Sequence, residues 1–194
     1  MPQLTRSDLY SLEEYAEKRA EFRQRVLAHK KDRQLPLGEH ARLYFEDELT
    51  IRYQIQEMLR IEKVFEAAGI QDELDAYNPL IPDGRNWKAT YMIEFEDAEL
   101  RKEMLRRLKG IERATWMQVE GFEKVTPIAN EDLERETEEK TSSVHFVRFE
   151  LTPEMAGAAK QGAAILAGID HEAYQVPGFK VPENVRAALV ADLA

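Results

Sequence analysis

Apolar positions recur with a helical period through the first part of the chain and alternate through much of the second. Ser11-Leu12-Glu13-Glu14 has the form of a capping box, in which the Ser hydroxyl and the Glu three residues on satisfy each other's backbone N–H groups, so a helix is predicted to start there. Leu12, Tyr15, Phe22 and Val26 share one face of it, interrupted by Arg19, and it should end around His29 to Lys31, before Pro36 and Gly38. His40 to Glu46 reads as a short edge strand. Thr50 to Ala68 is the longest periodic segment: Ile51, Ile55, Met58, Leu59, Ile61 and Phe65 form a broad apolar face, and Gly69 is placed to stop the helix. Asn78 to Asn86, with two prolines and an Asp-Gly step, reads as an ordered loop.

After this loop the period becomes two. Trp87, Ala89, Tyr91, Ile93 and Phe95 alternate with Lys88, Thr90, Met92 and Glu94, the pattern of a half-buried strand. Asp97 caps a helix that runs to Lys109 and stops at Gly110. Thr115 to Val119 and Lys124 to Ala129 read as strands around Glu120-Gly121, with Pro127 favouring an edge for the second. Ser143 to Leu151 is a further strand, and Thr152-Pro153 opens a short helix ending at Gly162. Ala163 to Ile169 reads as a buried strand or a helix, and residues 182–193 as a last amphipathic helix. Strand, cap, helix, Gly, strand thus occurs twice, from Tyr91 to Thr115 and from Phe146 to Ala163. Two such units commonly interleave into one antiparallel sheet with helices on a face, so the expected class is α+β, with a ferredoxin-like sheet. The expected organisation is an N-terminal helical part with a short strand, residues 1–86, and an α+β sheet part, residues 87–194, sharing one core.

Composition narrows the function more than the fold. The chain has 194 residues, of which 43% are hydrophobic and 33% charged, as in a globular domain rather than a disordered one. Its most continuous apolar run, Ala163 to Ile169, is far short of the roughly 20 residues of a bilayer helix. The start, Met1 to Asp8, lacks an apolar stretch behind a basic one, so a cytoplasmic location is expected. The absence of cysteine excludes disulfides, thiolate nucleophiles and any cysteine-ligated cofactor, and none held covalently is expected. A net charge of -10 disfavours nucleic acid as a partner. That charge is uneven: Tyr15 to Arg33 carries seven Lys/Arg against three Asp/Glu, and Glu131 to Lys140 six acidic residues against two basic.

Four histidines are available, His29, His40, His145 and His171, none in a spacing typical of helical di-iron or zinc-hydrolase sites, so no metal centre is predicted. His145 shares a strand face with Val147, Phe149 and Leu151, and reads either as a hydrogen-bonded core histidine or as a ligand-binding or proton-handling one. Asp170-His171 ends a predicted strand, where a turn role competes with a catalytic one. Tyr53, Gln56, Glu57 and Arg60 form a polar stripe on the long helix. That stripe is either solvated or faces the following loop, where Asn78, Asp83, Arg85, Asn86 and Trp87 would complete a pocket for an anionic or planar ligand. No phosphate-binding glycine loop and no G-x-S-x-G elbow occurs, which disfavours an ordinary NTPase, Rossmann enzyme or serine hydrolase.

Several longer stretches occur together: Tyr53 to Glu62, Tyr77-Asn78-Pro79-Leu80-Ile81-Pro82-Asp83, and Glu139-Lys140-Thr141-Ser142-Ser143-Val144-His145-Phe146, with Leu9 to Tyr15 and Gly168-Ile169-Asp170-His171. Across about Leu4 to Tyr174 the chain resembles the bacterial family catalogued as domain of unknown function 3501. The resemblance carries no activity. It implies a context, since members are often encoded beside a rubrerythrin-like protein and an iron-sulfur oxidoreductase. The expected role is then an accessory protein of a redox or oxidative-stress system that docks such a partner through its basic first helix or its acidic segment. The alternatives are a small-molecule or metal-binding enzyme with a site around His145 and the 78–87 loop, and a structural homodimer.

Overall fold

The computed structural model describes residues 3–194; residues 1–2 of the stretch read for a leader lie outside the described residues. The class is α+β. Helix α1 (Leu12–Lys30) starts at the capping box, with Glu14 N–H donating to the Ser11 hydroxyl and Ser11 N–H to the Glu14 carboxylate. Strands β1 (Gln34–Leu37) and β2 (Ala41–Phe45) form a hairpin, followed by α2 (Glu48–Glu62) and α3 (Ala67–Tyr77). The predicted single helix from Thr50 to Ala68 is therefore two. Lys63 adopts φ 54, the left-handed conformation that ends a helix, and Val64 N–H turns back to the Leu59 carbonyl. Gly69 lies inside α3 instead of stopping α2.

Strand β3 (Asn86–Ile93) precedes α4 (Ala98–Arg107), α5 (Ile111–Ala114) and β4 (Thr115–Val119). Then come β5 (Ile128–Ala129), β6 (Val144–Glu150), α6 (Pro153–Lys160), β7 (Ile165–His171), β8 (Tyr174–Lys180) and α7 (Glu183–Ala191). The strands form two antiparallel sheets, β1-β2-β3-β6-β5 and β4-β7-β8. The two strand-helix-strand units are present, but they do not interleave into one sheet. With β2 on one edge of β3, β6 takes the other edge, and the closing strands β4 and β7 pair in the second sheet. Because β1 pairs along its other side, β2 is an interior strand rather than an edge.

The main core lies between the sheets. Trp87, Ala89, Tyr91 and Ile93 of β3 and Val147 and Phe149 of β6 point inward to meet Met117, Val119, Ile165, Ala167 and Ile169, with Leu189 of α7. The Trp87 indole N–H donates to the Leu189 carbonyl at 2.9 Å, so the largest core side chain has its one polar atom satisfied. Tyr174 of β8 ties the sheets together, donating to the Leu37 carbonyl and accepting from His40 N–H. A second cluster, Ile51, Ile55, Leu59, Leu74 and Ile81, holds α2 and α3 together. A third packs Tyr15, Phe22 and Val26 of α1 against Leu49 and Tyr53 of α2. No helix among the described residues is long and apolar enough to cross a membrane.

In the second sheet Trp116 lies flat over β7 and β8, made possible by glycine. A Cβ on Gly168 would sit 2.4 Å from Trp116 Cζ2 and 2.9 Å from the Val176 carbonyl oxygen. Gly168→Ala is expected to destabilise the protein by about 1–3 kcal/mol through overpacking, read as a lower urea midpoint at unchanged slope. An unchanged midpoint would mean that the ring moves aside freely.

Candidate functional site

Alternation along β3 and β6 gives each strand a second face, outside the core. Register sets Lys88 beside Arg148 and Thr90 beside Phe146 on that outer surface. Helices α2 and α3, the turn at Asn78–Leu80 and Glu131 and Asp132 of the segment before β6 border an open-sided cavity of about 630 Å³, within the range of small-molecule sites. Met58, Tyr77, Leu80 and Phe146 give it apolar walls. Five carboxylates, Glu46, Glu73, Asp75, Glu131 and Asp132, line it against two cations, Lys88 and Arg148.

Both cations are already engaged. Arg148 forks onto Glu131 at 2.8 and 3.0 Å and also holds Glu150, while Lys88 Nζ donates to the Pro79 carbonyl at 2.7 Å. Burial lowers the Lys88 pKa below the usual ammonium range. Asp132 is bound by Arg135. Glu46 accepts from the hydroxyls of Thr50 and Thr90, and Asp75 from the Gln71 amide. Burial, with Glu62 and Asp72 nearby, holds the Glu73 carboxyl above its ordinary range. Glu46, Glu73 and Asp75 have no ion-pair partner among the described residues.

A second polar constellation lies within the core. His145 faces inward from β6, opposite Tyr91, and is fully buried. Asn130 orients it: its Oδ1 is taken by Phe146 N–H at 3.4 Å, so its Nδ2 donates to His145 Nδ1 at 2.9 Å. The imidazole proton then resides on Nε2 and points to the Ser142 carbonyl at 2.9 Å, with the Thr141 hydroxyl at 3.0 Å. Glu112 of α5, also fully buried, places Oε2 3.9 Å from His145 Nε2, and neither of its oxygens accepts a hydrogen bond. The Thr115 hydroxyl donates to the Ile111 carbonyl and lies 3.1 Å from the Tyr91 hydroxyl. Desolvation is the largest influence on His145 and lowers its pKa, while Glu112 pulls the other way. No group of three or more His, Asp or Glu side chains suited to a metal ion occurs among the described residues.

The other residues singled out in the sequence are spread over the molecule. Gln56 is buried and exchanges hydrogen bonds with the Tyr10 backbone. Glu57 accepts from the Tyr15 hydroxyl and from Arg19, whose guanidinium lowers its pKa. Tyr53 packs against Phe22, and Arg60 is exposed. Asn78 clamps the Leu4 backbone through both ends of its amide. Asp83 accepts from Arg85 N–H, and Asn86 joins Asp83 N–H to Glu150. Trp87 belongs to the core. Asp170 pairs with Lys124 at 2.8 Å, and His171 contacts the Lys109 carbonyl at 2.8 Å. The polar stripe on α2 thus serves α1 and the N-terminal segment, and His145 meets none of it. Sequence reasoning missed the cavity residues Glu46, Glu73, Lys88, Phe146 and Arg148, and the buried Glu112. Phe146, an apolar residue at an outward position of an alternating strand, was the available signal.

The model of a family described as a protein of unknown function, DUF3501, matches residues 3–193. The chain belongs to this family. A crystal structure of a novel protein of unknown function from Burkholderia pseudomallei K96243 is similar to this DUF3501 chain at 51% identity, over 100% of both chains, with a TM-score of 0.95. No curated protein matches it.

The lowered His145 pKa fixes a sign. The neutral ring contributes stability that is complete above the ordinary histidine value of 6.5 and is lost as pH falls through the depressed one. In NMR titrations the His145 ring should remain neutral below pH 6.5, and Glu112→Gln should shift its titration to still lower pH. Titration at or above 6.5 in the wild type would contradict the effect of burial.

Proposed function

We propose that this DUF3501 protein is a small-molecule-binding protein whose site is the cavity between α2, α3 and the outer face of β3 and β6. The observation that carries the reading is an open-sided cleft of about 630 Å³ with apolar walls and several polar groups, floored by a rigid sheet and walled by α2, α3 and the turn at Asn78–Leu80. Its register is fixed by the core on the other side of the same strands. The neutral environment-sensitive dye Nile red should bind saturably, with one site per chain, and brighten on binding. Ala76→Trp, which introduces a large ring at the lining, should weaken it at least tenfold while leaving the circular dichroism spectrum unchanged. Absence of saturable binding would remove the reading.

A second reading is an accessory subunit that docks an iron-sulfur or rubrerythrin-like partner, in keeping with the family context. Phe65, 71% exposed, shares a shallow groove with Leu9, Leu12, Val64 and Ile70 beyond the end of α2, an apolar surface that suits a protein contact. Such a partner should be recovered from a native lysate with the wild type and lost with Phe65→Asp. Recovery of no redox protein at low or high salt would count against this reading.

A further inference from the structure

Charge around the cavity says what kind of molecule it would hold. The inference rests on the cavity being a binding site and concerns only the ligand. The lining contributes five carboxylates and two cations, a local surplus of three negative charges. That surplus is not balanced from within. Arg148 is committed to Glu131 and Glu150, and Lys88 to a carbonyl. Arg135 is committed to Asp132. Glu46, Glu73 and Asp75 line the space without an ion pair among the described residues, Glu46 accepting from the Thr50 and Thr90 hydroxyls and Asp75 from the Gln71 amide.

Of these three, one lies just after β2 and two lie on α3, and all line the same cavity that Met58, Tyr77, Leu80 and Phe146 line with carbon. An anionic ligand would find Arg148 already paired with Glu131 and Glu150, Lys88 as the one lining cation held only by a carbonyl, and three carboxylates opposing it. A neutral apolar ligand would fill the space but leave the surplus as it is. A cation with an apolar body satisfies both: its charge interacts with Glu46, Glu73 and Asp75 in a region of reduced dielectric, and its body covers the aromatic and aliphatic walls. Tyr77 and Phe146 also offer ring faces, which attract cations.

We propose that the cavity selects an amphipathic organic cation, an amine carried on an aromatic or branched aliphatic body. The test uses three compounds of one shape, phenethylamine, 2-phenylethanol and 3-phenylpropionate, each competing with Nile red on the full chain. The amine should compete about tenfold better than the alcohol, the propionate least of all, and the amine's advantage should shrink as salt is raised. Glu73→Gln combined with Asp75→Asn should remove most of the amine's advantage over the alcohol. Both are exposed or half-exposed helix positions, so the fold should survive, which an unchanged circular dichroism spectrum and urea midpoint check.

Equal competition by the three compounds, or preference for the propionate, would overturn the cation while leaving the cavity as a binding site. Binding of Nile red with no competition by the amine would do the same. Failure of Nile red to bind saturably would remove the cavity reading and this inference with it.

Discussion

The two-residue alternation of β3 is the constraint on which the rest of the structure depends. Trp87, Ala89, Tyr91 and Ile93 complete the core between the sheets, while on the other face Lys88 lines the cavity and Thr90 binds Glu46. A slip of one residue would exchange the two sets, putting a lysine in the core and an indole outside. Polar contacts on both faces oppose that slip. Inside, the indole N–H is bound to the end of α7. Outside, Glu46 accepts from Thr90 and from Thr50 at the start of α2, so one carboxylate fixes the helix against the strand.

Charges enter this interior in only a few places, and their signs differ. Arg33 is buried against Asp192, with its guanidinium also on the carbonyls of Phe45 and Glu46, so it joins the end of α7 to the strand before α2. Burial raises the Asp192 carboxyl from 3.8 to about 6 despite Arg33. Its contribution is complete below 3.8 and is lost as pH rises through about 6. The lowered carboxyls of Glu57, Glu131 and Asp132, held by Arg19, Arg148 and Arg135, act in the opposite sense and lose their contribution in acid. His145 sides with them, because its neutral form is the one the core accepts.

Much of the fold was legible because local chemistry and tertiary role agree. The Ser11 capping box, the Asp97 and Thr152 caps and the alternation of β3 and β6 each act where the pattern put them. Disagreement arose where a residue takes an uncommon conformation or a weak pattern is decided by neighbours. Lys63 is left-handed without being glycine, so nothing in the periodicity marked the break between α2 and α3. Strand β8 contains Pro177 and Gly178, poor strand formers, yet it pairs along β7 because Gly178 leaves room for Trp116. The cavity was less legible than the fold. Its walls come from α2, α3, β3 and β6, whose relative placement no local spacing encodes, and Glu112 reads as an ordinary polar residue of a turn until α5 is packed under the sheet.

Net charge is where sequence and structure need each other most. The excess of acid over base is a property of the whole chain, but its consequence depends on which carboxylates have found a partner. The basic run from Tyr15 to Arg33 is partly consumed within the fold, since Arg19 serves Glu57 and Arg33 is buried. The acidic run from Glu131 is also partly consumed: Glu131 goes to Arg148, Asp132 to Arg135, and Glu136 accepts from Gly110 N–H. Two segments of opposite charge therefore offer a partner less than their composition suggests. Three carboxylates without an ion pair among the described residues, Glu46 just after β2 and Glu73 and Asp75 on α3, line one cavity on the outer face of the β3 and β6 strand pair.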